Sequence, residues 1–97
     1  MIEREYLMDL YDIYKDLLTE KQRMYFKNYY FEDLTLQEAG EELNVSKQII
    51  SKTILQVIEK LKNYESTLHL NKIYNVLNNI KKNTTDEKVR KELDKLL

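Results

Sequence analysis

Between residues 2 and 18, apolar side chains recur at Leu7, Leu10, Tyr14 and Leu17, with Tyr6, Ile13 and Leu18 beside them. This spacing predicts a helix with one wide apolar face, and Asp9, Asp12, Lys15 and Asp16 fall largely on its other side. Thr19-Glu20-Lys21-Gln22 has the form of a capping box, a hydroxyl at the cap and Gln three residues on. A second helix therefore starts near Glu20 and runs through Met24, Tyr25, Phe26, Tyr29, Tyr30 and Phe31. Glu32-Asp33-Leu34 breaks the pattern, and Thr35-Leu36-Gln37-Glu38 is a second capping box. The short helix it opens, Leu36 to Leu43, groups Leu36, Ala39, Gly40 and Leu43 on one face and turns Glu38, Glu41 and Glu42 away. After Asn44-Val45, Ser46 caps a fourth helix over 47–62 with Ile50, Ile54, Val57, Ile58 and Leu61 inside. Further on, Leu70, Ile73, Leu77 and Ile80 recur at 3-4-3 spacing with Val76 alongside. Thr84 and Glu87, again in box spacing, predict a last helix to Leu97 through Val89, Leu93 and Leu96.

The fold this predicts is all-α: a small helical bundle, residues 1–68, followed by a C-terminal helical extension, residues 69–97, that is not an independent domain. Within the bundle, the two helices over 35–62 are joined by three residues, the spacing of a helix-turn-helix. An αα-hairpin in a bundle would also place two helices there. The order of a small residue, a three-residue turn, a valine and a serine cap favours the helix-turn-helix. Gly40 is the only glycine in a chain without proline, and it sits inside a helix, where glycine costs about 1 kcal/mol relative to alanine. Such a residue permits close backbone approach where a second helix presses on the first. Asn44 takes the left-handed turn position that glycine usually fills, and Val45 plugs the core. On this reading Gly40→Leu overpacks the contact, whereas Gly40→Ala is near neutral or slightly stabilising. The aromatic run Met24–Phe31 reads as core with interfacial tyrosines, in preference to a stacking platform for bases.

Composition narrows the function classes. The 97 residues contain no cysteine and one histidine, His69, which excludes disulfide frameworks, thiolate chemistry and imidazole clusters. No apolar run approaches the ~20 residues that span a bilayer, and Met1-Ile2-Glu3-Arg4-Glu5 lacks the parts of a signal peptide, so a cytoplasmic protein is expected. There is no glycine loop for phosphates and no spaced carboxylate pair in a pocket motif. An enzyme, a cofactor and a bound metal are therefore not expected. Net charge is −1, but residues 1–45 hold five Lys/Arg against eleven Asp/Glu, and residues 46–97 hold eleven against six. The sign changes at Ser46, which is consistent with an acidic partner for the second half, and equally with pairing inside the molecule.

Residues 17–65, "LLTEKQRMYFKNYYFEDLTLQEAGEELNVSKQIISKTILQVIEKLKNYE", resemble region 4 of bacterial sigma factors, with a capped short helix followed by a recognition helix. The resemblance to the YlxM family is closer. It extends to "LYDIYKDLLTEKQ" and to "YESTLHL", and so covers about residues 7–70. The departure is Gly40, where alanine is usual in both families. The resemblance implies a bacterial helix-turn-helix protein beside the signal recognition particle, with which YlxM proteins are associated partly by gene neighbourhood.

Outward residues at the start of a recognition helix carry nucleic-acid contacts. Here they are Ser46, Lys47, Gln48, Ser51 and Lys52, with Gln56 one turn on. Gln pairs with adenine, and Lys meets guanine or phosphate. Two to four lysines support only a weak, salt-sensitive site, and Glu38, Glu41 and Glu42 on the preceding helix repel a phosphate backbone. A solvated lysine face has the same composition. The expected function is a nucleic-acid-binding accessory or regulatory protein of the signal recognition particle pathway, with DNA or the particle's RNA as ligand. Two alternatives stand beside it: an adaptor binding the particle's GTPase or its receptor without nucleic acid, and a sigma-like transcription regulator. The tail lysines Lys81, Lys82, Lys88, Lys91 and Lys95, with Arg90, form either a basic clamp or an ordinary charged helix. The Leu70–Ile80 stripe, with Tyr25, Tyr29 and Tyr30 counted as surplus aromatics, predicts a homodimer. No membrane partner is expected.

Overall fold

A computed structural model describes residues 2–97, with side chains from residue 3. It contains α1 (Ile2–Tyr14), one 3-10 turn (Lys15–Leu17), α2 (Glu20–Tyr30), α3 (Leu36–Leu43), α4 (Lys47–Leu68), α5 (Leu70–Asn83) and α6 (Glu87–Asp94). Two of the three predicted capping boxes close. The Thr19 and Thr35 hydroxyls accept from the backbone N–H of Gln22 and Glu38, whose side chains accept in turn from the cap N–H groups.

Two apolar clusters share α4 as their common wall. The first joins α1, α2 and α4 through Leu7, Leu10, Tyr11, Tyr14, Leu18, Phe26, Val57 and Leu61. The second seats α3 through Tyr25, Ala39, Ile50 and Ile54, with Leu34, Leu36, Leu43 and Val45 against them. Phe26 stacks between Tyr11, at 4.8 Å between ring centres, and Tyr30, at 4.5 Å. The aromatic run is thus largely core. Tyr25 is buried, and Tyr29 and Tyr30 are half-buried against the two clusters, so Tyr25 is no surplus aromatic and the other two are largely used within the chain. At the end of α1 the structure departs from the predicted face: Leu17 is 53% exposed, and Tyr11 and Leu18 are buried. Leu18 follows the 3-10 turn in extended backbone, with φ −98° and ψ 156°, and it is Leu18 that joins the first cluster while Leu17 faces outward.

The fourth helix is longer than the predicted 47–62, reaching Leu68. It then breaks at His69, whose φ of 56° is left-handed. Glu65, one turn before the break, is buried. Its Oε1 accepts from the Tyr14 hydroxyl at 2.7 Å and from the Asn71 N–H at 3.0 Å, and its Oε2 accepts from the Lys72 N–H at 3.1 Å. The Tyr14 oxygen accepts from the Leu70 N–H at 3.1 Å. The first three N–H groups of α5, which a helix leaves without internal partners, are thus satisfied by two side chains from α1 and α4.

Beyond this joint the molecule is an arm. No residue of α5 is buried, and Ile73, Val76 and Ile80 stand half-exposed. The principal extents of 54 × 24 × 23 Å reflect that projection, as does a radius of gyration of 16.7 Å against about 13 Å for a compact chain of this size. Helix α6 folds back on α5 and buries Leu93. Its cap is not Thr84 with Glu87, as box spacing suggested. Asp86 Oδ1 accepts from the Lys88 and Val89 N–H groups at 2.8 and 3.4 Å, and Thr84 Oγ1 accepts from the Asp86 N–H. Asp86 lies two residues beyond Thr84, directly before the first helical residue Glu87, and Glu87 pairs with Arg90 at 3.8 Å. The helix stops at Asp94, short of the predicted Leu97.

Candidate nucleic-acid interface

The turn between α3 and α4 is built by backbone bonding around one left-handed residue. Asn44 has φ 57° and ψ 44°. The Val45 N–H donates to the Gly40 carbonyl at 2.9 Å and the Asn44 N–H to the Glu41 carbonyl at 3.3 Å. This is the double closure that ends a helix on a left-handed residue. Val45 then packs on the cluster of Ala39, Ile50 and Ile54. The closure draws the turn tightly over α3. A Cβ placed on Gly40 would lie 2.7 Å from the Val45 carbonyl oxygen, 3.3 Å from the Lys47 nitrogen and 3.4 Å from the Ser46 carbonyl carbon. Gly40 therefore accommodates the turn backbone and the first residue of α4, and the nearest obstacle is main chain that cannot rotate aside. The expectation that alanine is neutral here does not survive this geometry.

Ser46 caps α4, its Oγ accepting from the Ile49 N–H at 3.2 Å. Its hydroxyl is therefore occupied in holding the helix end. Lys47, Gln48, Lys52 and Gln56 are exposed and Ser51 is half-buried. Gln48, Ser51, Lys52 and Gln56 line one shallow groove together with Leu55 and Glu59. Lys47 and Ser46 border a neighbouring groove with Gln37, Gly40, Glu41, Asn44 and Val45. Leu55 and Glu59 are additions to the predicted set. Their register shows in the sequence, four and eight residues after Ser51, but an exposed leucine in an amphipathic pattern reads as core until the burial of Ile54 and Val57 is known.

The electrostatics divide α4 in two. Lys62 pairs with Glu3 at 3.0 Å, and Lys60 donates to Gln22 Oε1 at 3.2 Å. Lys47 and Lys52 form no ion pair among the described residues. Lys47 and Lys52 thus stand in the first two turns of α4 without a side-chain partner among the described residues, where the helix dipole adds to their charge, while Lys60 keeps its charge beside the neutral Gln22 amide. Against this stand Glu41 and Glu42, both exposed, and Glu38. The Thr35 backbone N–H and hydroxyl hold the Glu38 carboxyl below its usual range, so it stays charged. In the tail, Lys81 pairs with Asp94, Arg90 with Glu87 and Lys95 with Glu92. Half of the supposed basic clamp is neutralised within α5 and α6.

Comparison with known families agrees with this architecture. The family described as "Putative helix-turn-helix protein, YlxM / p13 like" matches residues 1–97. The chain belongs to the UPF0122 family. It is 40% identical over 86 residues to a UPF0122 protein of Mycoplasma mycoides, covering 84% of this chain and 76% of the relative. The UPF0122 protein of Oceanobacillus iheyensis is 38% identical over 91 residues, with 90% and 87% covered. That of Listeria monocytogenes serovar 1/2a is 37% identical over an alignment of 106 residues, with 99% and 96% covered. The description of the UPF0122 family is that of a helix-turn-helix protein. Among the described residues, no three His, Cys, Asp or Glu side chains are grouped to hold a metal, and no helix is long and apolar enough to cross a membrane.

Proposed function

We propose that this UPF0122 chain is a cytoplasmic accessory protein of the signal recognition particle pathway that uses the start of α4 to contact nucleic acid. The observation that carries the reading is the row Gln48, Ser51, Lys52 and Gln56 on one open groove, with Lys47 beside it and both lysines without ion pairs among the described residues. The family supports the helix-turn-helix, and the resemblance to YlxM proteins supplies the pathway. Two lysines and a helix terminus oppose three carboxylates on α3, so binding is weak and fades well before physiological salt unless a partner adds contacts. The 3-4-3 repeat over Leu70–Ile80, half-exposed on α5, favours a symmetric pair of chains, which would present two such faces to two half-sites.

Fluorescence anisotropy across a salt series, with duplex DNA and separately with the particle's RNA, tests the proposal. Binding at low salt that weakens steeply supports it. Binding of the particle's GTPase with neither nucleic acid bound would replace it with the adaptor reading.

A further inference from the structure

Leu55 is 65% exposed, more than any other apolar residue of α3 or α4. At about 100° per residue, Gln48, Ser51, Lys52 and Leu55 fall within roughly 100° of one another on the helix, with Leu55 between Ser51 and Lys52. It sits about 12 Å along the axis from Lys47 at ~1.5 Å per residue. No neighbouring element covers it, and it shares its groove with four hydrogen-bonding side chains and Glu59. An uncovered leucine in the middle of a polar row gains nothing for the fold.

We infer that Leu55 reads the 5-methyl group of a thymine, and hence that the nucleic acid met by this face is duplex DNA entered through its major groove. The inference rests on the proposed nucleic-acid function. Among base edges in the major groove, the thymine methyl is the apolar one, and side chains contact it by apolar packing. The groove, about 12 Å wide, admits an α-helix with its side chains. Double-stranded RNA offers a deep, narrow major groove that side chains cannot read. Gln48, two turns earlier, and Gln56, the next residue, share the groove with Leu55 and carry the donor and acceptor pair that suits adenine, so an A·T-rich site follows from the same groove. Glu59, the next residue along this face, carries a charge that repels phosphate and closes the reading stretch.

The test uses the full chain. Duplexes are selected from a random pool at low salt, and the enriched site is measured by anisotropy with each thymine replaced in turn by deoxyuridine. One replacement is expected to weaken binding about fourfold, the worth of one buried methyl. In Leu55→Ala, an exposed change whose folding is checked by circular dichroism, the same replacement is expected to have no effect. Three results overturn the inference while leaving nucleic-acid binding standing: no thymine whose methyl matters, an equal methyl effect in Leu55→Ala, or tighter binding to an RNA hairpin than to the selected duplex. Failure of every nucleic acid to bind overturns both.

Discussion

The Tyr14 hydroxyl donates to Glu65 Oε1 at 2.7 Å across fifty-one positions of sequence, and the two side chains together cap a helix that belongs to neither of them. Burial alone would raise the Glu65 carboxyl, but hydrogen bonds from Tyr14, Asn71 and Lys72 outweigh it and hold the group below its usual range. Burial first, and then the bond to Glu65, pushes the Tyr14 hydroxyl up to about 12. The joint between the helix-turn-helix body and the α5–α6 arm is therefore a polar lock.

The lock has a pH signature. A carboxyl held below its ordinary value contributes stability that is present above the unfolded pKa and is lost as pH falls through the folded one. Amide exchange at Leu70, Asn71 and Lys72 is expected to accelerate in acid below the ordinary carboxylate range, before the core opens. Tyr14 acts in the opposite direction: its contribution is full below the ordinary tyrosine value of 10.0 and is lost as pH rises through about 12. Glu65→Gln is expected to cost about 1–3 kcal/mol by leaving buried donors poorly met and to abolish the acid phase. Acid exchange identical to wild type in Glu65→Gln would contradict the lock.

Gly40→Ala is expected to lower the denaturation midpoint. Moving the Val45 carbonyl from 2.7 Å costs about 1–3 kcal/mol, against about 1 kcal/mol gained in helix propensity. Gly40→Leu is expected to lose more. An alanine variant more stable than wild type would show that the turn yields freely.

The end of α1 offers a paired comparison. Leu18→Ala is expected to cost about 2–5 kcal/mol as a core truncation, and Leu17→Ala to stay within about 0.5 kcal/mol. Urea midpoints of the two variants check which of the two leucines the core holds, and equal losses would contradict the assignment.

The cap of α6 is tested in the same way. Asp86→Ala is expected to lose about 1 kcal/mol of arm stability. Thr84→Ala is expected to lose less, since the substitution removes one bond, from the Asp86 N–H to the Thr84 hydroxyl. Exchange rates at Lys88 and Val89 discriminate the two.

Much of this was legible in the sequence. Capping boxes at Thr19 and Thr35, the left-handed Asn44 and the Ser46 cap are local signals, decided by residues three or four apart, and the structure reproduces them. What was not legible depends on distant partners. Glu65 continues the inner register of Ile54, Val57 and Leu61, a carboxylate where a core residue belongs and in a last turn that disfavours it. Only the arrival of Tyr14 and the α5 N-terminus explains it. Tyr11 is core because Phe26 of α2 stacks on it, and Leu18 is buried in place of Leu17 where α1 ends. For the candidate interface, the polar row was readable from helical register, and Leu55 was not, because exposure depends on where α3 stops covering α4.

The most direct measurement is the salt dependence of nucleic-acid binding by Lys47→Ala/Lys52→Ala, set beside Lys88→Ala/Lys91→Ala. If the start of α4 meets phosphates, the first pair flattens the log–log salt slope by about 2 units and the tail pair leaves it unchanged. A slope unchanged by the first pair and flattened by the second would move the interface from α4 to α6 and contradict the account.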